Sequence, residues 1–194
     1  MNRRPAFARL AALAALALML APAPILAGTA FQFDAARSQA EFGVRLLWLH
    51  TISGRFAQIT GAVRLDAKGL ATVDAHIRTS SLTMASASLR RSVLAEDFFD
   101  AAHYPGIHFL SEPVPLARLS NGGALEGWLS LRGVTRRVRF ELLPARCSGL
   151  TARGCTIEAR GAILRSAFGM SSHRATLSDR VQLGLQIALD PARD

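Results

Sequence analysis

Beyond residue 40, apolar and polar side chains alternate one by one through most of the chain. Successive side chains of a β-strand point to opposite faces, so a period of two marks a strand with one buried face. Phe42, Val44 and Leu46 share a face against Glu41 and Arg45. Val63 and Leu65 oppose Arg64 and Asp66, and Val73, Ala75 and Ile77 oppose Asp74, His76 and Arg78. Ile107 and Phe109 flank an outward His108. The same pattern holds for Leu125, Leu129 and Leu131, for Val138, Phe140 and Leu142, and for Ile157, Ala159 and Ile163. It ends with Val181, Leu183, Leu185, Ile187 and Leu189. That makes eight amphipathic strands. The links "AKG", "SNGG", "RGVT" and "SGLTARG" are short and turn-like, so sequence neighbours run antiparallel. Eight such strands hide their edges by closing into an up-and-down barrel. An open two-layer sandwich is the alternative.

One segment breaks the period. Ser80 to Pro105, between the third and fourth strands, reads as a short helical insertion with Leu89, Val93 and Leu94 on its apolar side. Ser86 or Ser88 is placed to cap the helix, and Pro105 stops helical structure before the next strand. From its end into the next strand, "EDFFDAAHYPGIHF" gathers Asp97, Asp100, His103 and His108. A metal or acid/base set would need these to converge. His108 points away from the apolar face, and Pro105 redirects the chain after His103. The stretch therefore reads as structural, with Phe98 and Phe99 plugging one barrel end and the acids in water.

The first thirty residues form a separate unit. "MNRRPAFAR" is basic, and Leu10 to Ala21 is an unbroken apolar run too short to span a bilayer. Small residues follow. This is the layout of a cleaved secretory signal peptide over residues 1–30, with the cut after Ala27 or Ala30. The domain is then residues 31–194, and its expected compartment is the periplasm. Removing the leader takes away Arg3, Arg4 and Arg9 and no acid, so the formal charge falls from +9 to +6. Four arginines crowd "RGVTRRVRF" without the interleaved aromatics of a base-stacking surface, so no nucleic-acid partner is expected. Transient contact with a membrane surface and a homodimer stay open. In an oxidising compartment Cys147 and Cys155, separated by the turn-forming "SGLTARG", are expected to join as a disulfide.

The eight-stranded geometry leaves an interior that side chains fill or that holds one slender ligand. Small inward residues, Ala75, Gly127, Ala159 and Gly161, leave volume there. The sequence contains no nucleophile elbow, phosphate-binding loop, dinucleotide fingerprint or zinc-protease motif. No catalytic set, metal or cofactor is expected.

Four segments in order carry a resemblance. They are "FDAARSQAEFGVRLLWLHTISGRFAQITGAVRLD", with Gly54-Arg55-Phe56 and Gly61; "EDFFDAAHYPGIHF"; "LEGWLSLRGVTRRVRFEL", with Gly133, Val134 and Thr135; and "ARGAILRSAFGM", with Arg165, Ser166, Phe168 and Gly169. Over about residues 31–190 the chain resembles the YceI-like family of exported, lipocalin-like binders of polyisoprenoid lipids. The resemblance implies an elongated apolar pocket holding an isoprenoid quinone or polyprenyl phosphate, without catalysis. The lining residues it suggests here are Phe42, Val44, Leu46, Ile107, Phe109, Leu129, Leu131, Phe140, Phe168 and Met170. Arg165 or His173 would meet a polar head. One departure is that Leu94 and Ala95 stand where the family usually carries a basic residue and a serine.

Overall fold

The computed structural model describes residues 29–145 and 155–190. Nearly all of the expected leader, and Cys147, lie outside these residues. The elements are β1 (Ala30–Gln32), β2 (Gln39–Leu46), β3 (His50–Phe56), β4 (Ile59–Leu65), β5 (Leu70–Arg78), β6 (Leu82–Thr83), α1 (Ala87–Leu94) and β7 (Gly106–Ser111). They continue with β8 (Val114–Pro115), α2 (Ala117–Asn121), β9 (Gly123–Leu131), β10 (Val134–Leu142), β11 (Thr156–Leu164) and β12 (Leu177–Ala188).

The strands make one antiparallel sheet in the order β1-β4-β5-β7-β9-β10-β11-β12-β2-β3-β6, with β8 also on β5. The sheet curls on itself. β1 forms a ladder with β4, and the adjoining Phe33 bridges to Leu189 just past β12. At the far end of the path, β6 follows β5 after one 3₁₀ turn and pairs with β3. The result is a barrel-like wall rather than two stacked layers.

Among the described residues, twelve strands stand where eight were expected. β1, β6 and β8 are too short to show a period. β3, "HTISGRF", was hidden because Gly54 takes an inward position in an otherwise polar run. A Cβ on Gly54 would fall 2.5 Å from the Phe42 ring, so the strand can pass only without a side chain there. The up-and-down order holds from β4 through β12 and then from β12 to β2 to β3. It breaks between β3 and β4, which are consecutive in sequence but not paired.

Alternation places the core as expected. On β9, Leu125, Leu129 and Leu131 are buried and Trp128 is exposed. Arg132 and Gly133, both at positive φ, form the two-residue turn into β10, the backbone twist that suits a tight hairpin. α1 lies between β6 and β7. Its N-cap is Ser86, whose side chain accepts the Leu89 N–H at 3.3 Å. Val93 is buried, with Leu89 and Leu94 packed against the core. Phe99 then packs nearly edge-on against Phe42 and Phe56, with ring centroids 5.7 and 5.5 Å apart. The acids of this segment do not all stay in water: Asp100 is buried, and His103 Nδ1 lies 2.8 Å from its Oδ1. At the opposite end the unexpected α2 inserts Leu119, which is fully buried. Among the described residues no helix is long and apolar enough to cross a membrane.

Candidate functional site: an apolar cavity inside the sheet

The curled sheet encloses a cavity of about 160 Å³. That is roughly ten times the ~15 Å³ one water needs, so the interior is not filled by its own side chains. Its walls come from β2, β3, β5, β7, β9, β10, β11 and β12, and α1 with Phe98 and Phe99 covers one end. The polar residues in the lining are Glu41, Ser92 and Arg165. Glu41 accepts from Arg55 Nε at 2.9 Å on the surface. The inward Val181, Leu183 and Leu185 are only half-buried, because they face this space.

Eight of the ten residues suggested as lining do line it: Phe42, Val44, Ile107, Phe109, Leu129, Leu131, Phe140 and Met170. Leu46 and Phe168 do not. Leu46 is the last residue of β2 and pairs with Leu177 and His50. Phe168 is buried in the 3₁₀ turn after β11, packed in the wall. Sequence reading missed Ile52 and Phe56 because β3 was missed, and it treated Phe98 and Phe99 as a plug only. The small inward residues do not simply leave volume either. Gly161 and Gly127 seat the rings of Phe140 and Phe109: a Cβ at either would come within 2.8 Å of a ring atom.

Arg165 touches the cavity but offers it little. Its guanidinium donates to the carbonyls of Met170 (2.8 Å), Ser172 (2.7 Å), Ser178 (3.0 Å) and Leu177 (3.1 Å). Burial lowers its pKa, and the Asp179 carboxylate opposes this. A β-bulge in β12 between Leu177 and Val181 brings Asp179 to this turn. Asp179 accepts from the Ser166 hydroxyl at 2.7 Å and amide at 2.9 Å, and these bonds hold its pKa below the usual carboxylate value. Four carbonyls and one carboxylate thus compensate a buried cation that would otherwise be costly. The residue is a structural clamp. His173 lies outside the cavity lining and stacks on Phe98 with centroids 5.8 Å apart. Cys155 is buried just before β11.

On the outer wall the strands gather a set that no sequence spacing announced. His76 on β5 is directly across from His108 on β7. Their rings stack at 4.3 Å, and both Nε2 atoms approach Asp74 Oδ1, at 3.0 and 2.8 Å. Arg64 holds the other carboxylate oxygen. Burial tends to raise the Asp74 pKa, but Arg64, His108 and His76 outweigh it and hold the carboxyl below its ordinary value. The three ligand atoms lie within 4.8 Å of one another, close enough to hold a metal ion. Only the register of β5 on β7 makes this set.

A family model described as the YceI-like domain matches residues 31–189. The chain belongs to this family. A UPF0312 protein of Shewanella denitrificans is 30% identical over 135 residues, 68% of this chain and 70% of its own length. A UPF0312 protein of Staphylococcus aureus (strain USA300) is 24% identical over 171 residues, 86% of this chain and 96% of its own. Among solved structures, Burkholderia cenocepacia BcnA is similar with a TM-score of 0.68 at 22% identity, over 80% of this chain and 98% of that one. A polyisoprenoid binding domain from Saccharophagus degradans, implicated in plant cell wall breakdown, is similar with a TM-score of 0.59 at 15% identity. That match covers 84% of this chain and 98% of the other. At these identities the structures establish that this YceI-like chain shares their fold.

Proposed function

We propose that this protein is an exported binder and carrier of a long-chain isoprenoid lipid, of the isoprenoid-quinone or polyprenyl-phosphate type, and not an enzyme. The observation that carries this reading is the cavity of about 160 Å³ with an almost wholly apolar wall. An apolar chain entering it gains roughly 25 cal/mol for each Å² removed from water. Its one buried charge, Arg165, is occupied by carbonyls, which leaves no convergent acid, base or nucleophile in the lining. The polyisoprenoid binding domain among the structural neighbours supports the ligand class.

Export belongs to the same proposal: a signal peptide cut after Ala27 delivers the domain to the periplasm and leaves β1 whole. A cut after Ala30 would remove a residue that pairs with Arg64. There Cys147 joins the buried Cys155. Loading takes place at a membrane surface. The tip between β2 and β3 supports this, since it presents Leu47, Trp48 and Leu49 at 52%, 77% and 83% exposure. Leu47 and Trp48 hold positive φ, which is costly for bulky residues. Exposed Arg45 and Arg174 flank the tip, and the Leu47 amide bonds the Thr176 carbonyl in the loop carrying Arg174. Val44 and Ile52, just behind the tip, line the cavity.

The test is to express the full chain, purify it from the periplasm without detergent, and combine native mass spectrometry with solvent extraction. A discrete bound mass that extracts as an isoprenoid is the expected result. A polypeptide-only mass, together with no uptake of added prenyl alcohol, would sink the carrier reading. The same spectrum locates the cut and shows whether two hydrogens are missing at the cysteines. Replacing Trp48 with Ser should weaken co-sedimentation with anionic phospholipid vesicles at least several-fold; unchanged binding would remove the tip from the scheme.

A further inference from the structure

Beyond the main cavity lies a second chamber of about 40 Å³, a quarter of its size. It sits at the α2 end, against Phe33, Leu119, Leu125 and Ile157. Ala75, Phe109, Phe140 and Leu185 border both spaces. Of these, Phe109 and Phe140 are the bulky pair. Their rings meet edge to face, with centroids 5.2 Å apart and planes at 82°, a favoured aromatic geometry. The backbone is shaped to receive them. Phe140 stands across from Gly161, where a Cβ would fall 2.7 Å from its ring. Phe109 stands across from Ala75 and beside Gly127, where a Cβ would fall 2.8 Å from its ring. The rings therefore lie across the interior, seated on small residues of β5, β9 and β11.

We infer that the Phe109–Phe140 pair is a floor that sets how long a chain the protein accepts, and that the chamber beneath is closed reserve space for a longer tail. This inference rests on the lipid-carrier reading above. A chain above the floor gains about fourfold in affinity for each further methylene it buries. Once its end meets the rings, the next unit must stay outside or displace them. Affinity then stops rising.

The probe is a series of all-trans prenyl alcohols, from geraniol through farnesol and geranylgeraniol to longer members, titrated into the mature protein. Affinity should climb with length and then level off. Phe140→Leu and Phe109→Leu each keep an apolar side chain but shorten the floor. In either, the levelling-off should move to longer alcohols by at least one isoprene unit. Leu164→Ala, on the outer face of β11, should leave it in place. Binding with the same cut-off in both leucine variants overturns the floor and leaves the carrier reading standing. Failure of every alcohol to bind any of these proteins overturns the carrier reading, and the floor with it. If Phe140→Leu does not fold, Phe109→Leu decides. A xenon-pressurised crystal of the variant gives a readout independent of chain binding: one continuous site across both chambers is expected, and two separate sites count against the floor.

Discussion

At the scale of single residues, the informative positions are those where size and charge are fixed by neighbours. In sequence Arg165 is a candidate to meet the polar head of a lipid ligand. Four of its N–H donors instead go to four backbone carbonyls at 2.7–3.1 Å. Arg165→Met would strand those carbonyls and remove one of the two cations acting on Asp179. We expect a loss of about 3–5 kcal/mol in denaturant unfolding, the usual cost of breaking one side of a buried charge arrangement. A variant as stable as wild type with impaired ligand binding would return Arg165 to the headgroup role. Gly161 makes the opposite kind of demand. Gly161→Ala would press a methyl to 2.7 Å from Phe140 and 3.1 Å from the Arg139 carbonyl. Overpacking of this kind costs about 1–3 kcal/mol, measurable as a fall in the denaturation midpoint.

At the scale of elements, strand register decides what individual residues do. Asp74, His76 and His108 become one set only because β5 and β7 align His76 with His108. Arg64 reaches the same carboxylate from β4. Asp74 thus ties three strands together. Its pKa is depressed in the fold, burial notwithstanding, by Arg64, His108 and His76. Such a group adds stability that is fully present above the unfolded carboxyl value of about 3.9 and is lost as pH falls through the lower folded value. Asp74→Asn should therefore be less stable near neutral pH and show a shallower loss on acidification below about pH 4. Parallel acid limbs for variant and wild type would refute this. β3 teaches the same lesson in reverse. Its period is spoiled by Gly54, yet Gly54 is what lets Phe42 lie over the strand and join Phe56 and Phe99 in one aromatic cluster.

At the scale of the whole molecule, the sheet is sealed by different means at its two ends. Leu119 of α2 closes one, while α1, Phe98 and Phe99 cover the other beside the main cavity. A domain with an unfilled interior forgoes some packing energy and benefits from covalent restraint elsewhere. The proposed Cys147–Cys155 bridge closes a short loop, and the chain-entropy estimate for a loop of this size is about 2.5 kcal/mol. Thiol reduction should lower the unfolding free energy by about that amount. An unchanged denaturation curve, with both thiols shown to be reduced, would mean the bridge contributes nothing.

The sequence by itself determined the inward and outward face of nearly every long strand, the α1 insertion and most of the cavity wall. Those follow from local period and composition, because a strand's two faces are set by neighbours one residue apart. It could not determine β3, the two-residue strands or α2, whose short or irregular patterns acquire their form from pairing and burial. Nor could it tell empty space from filled space. Ala75, Gly127 and Gly161 looked like room for a ligand, yet they seat Phe109 and Phe140, while the cavity lies above those rings. The tertiary structure decided that, and it also decided that Arg165 is a clamp and that two distant histidines share one carboxylate. Each depends on distances between strands that the order of residues along the chain does not specify.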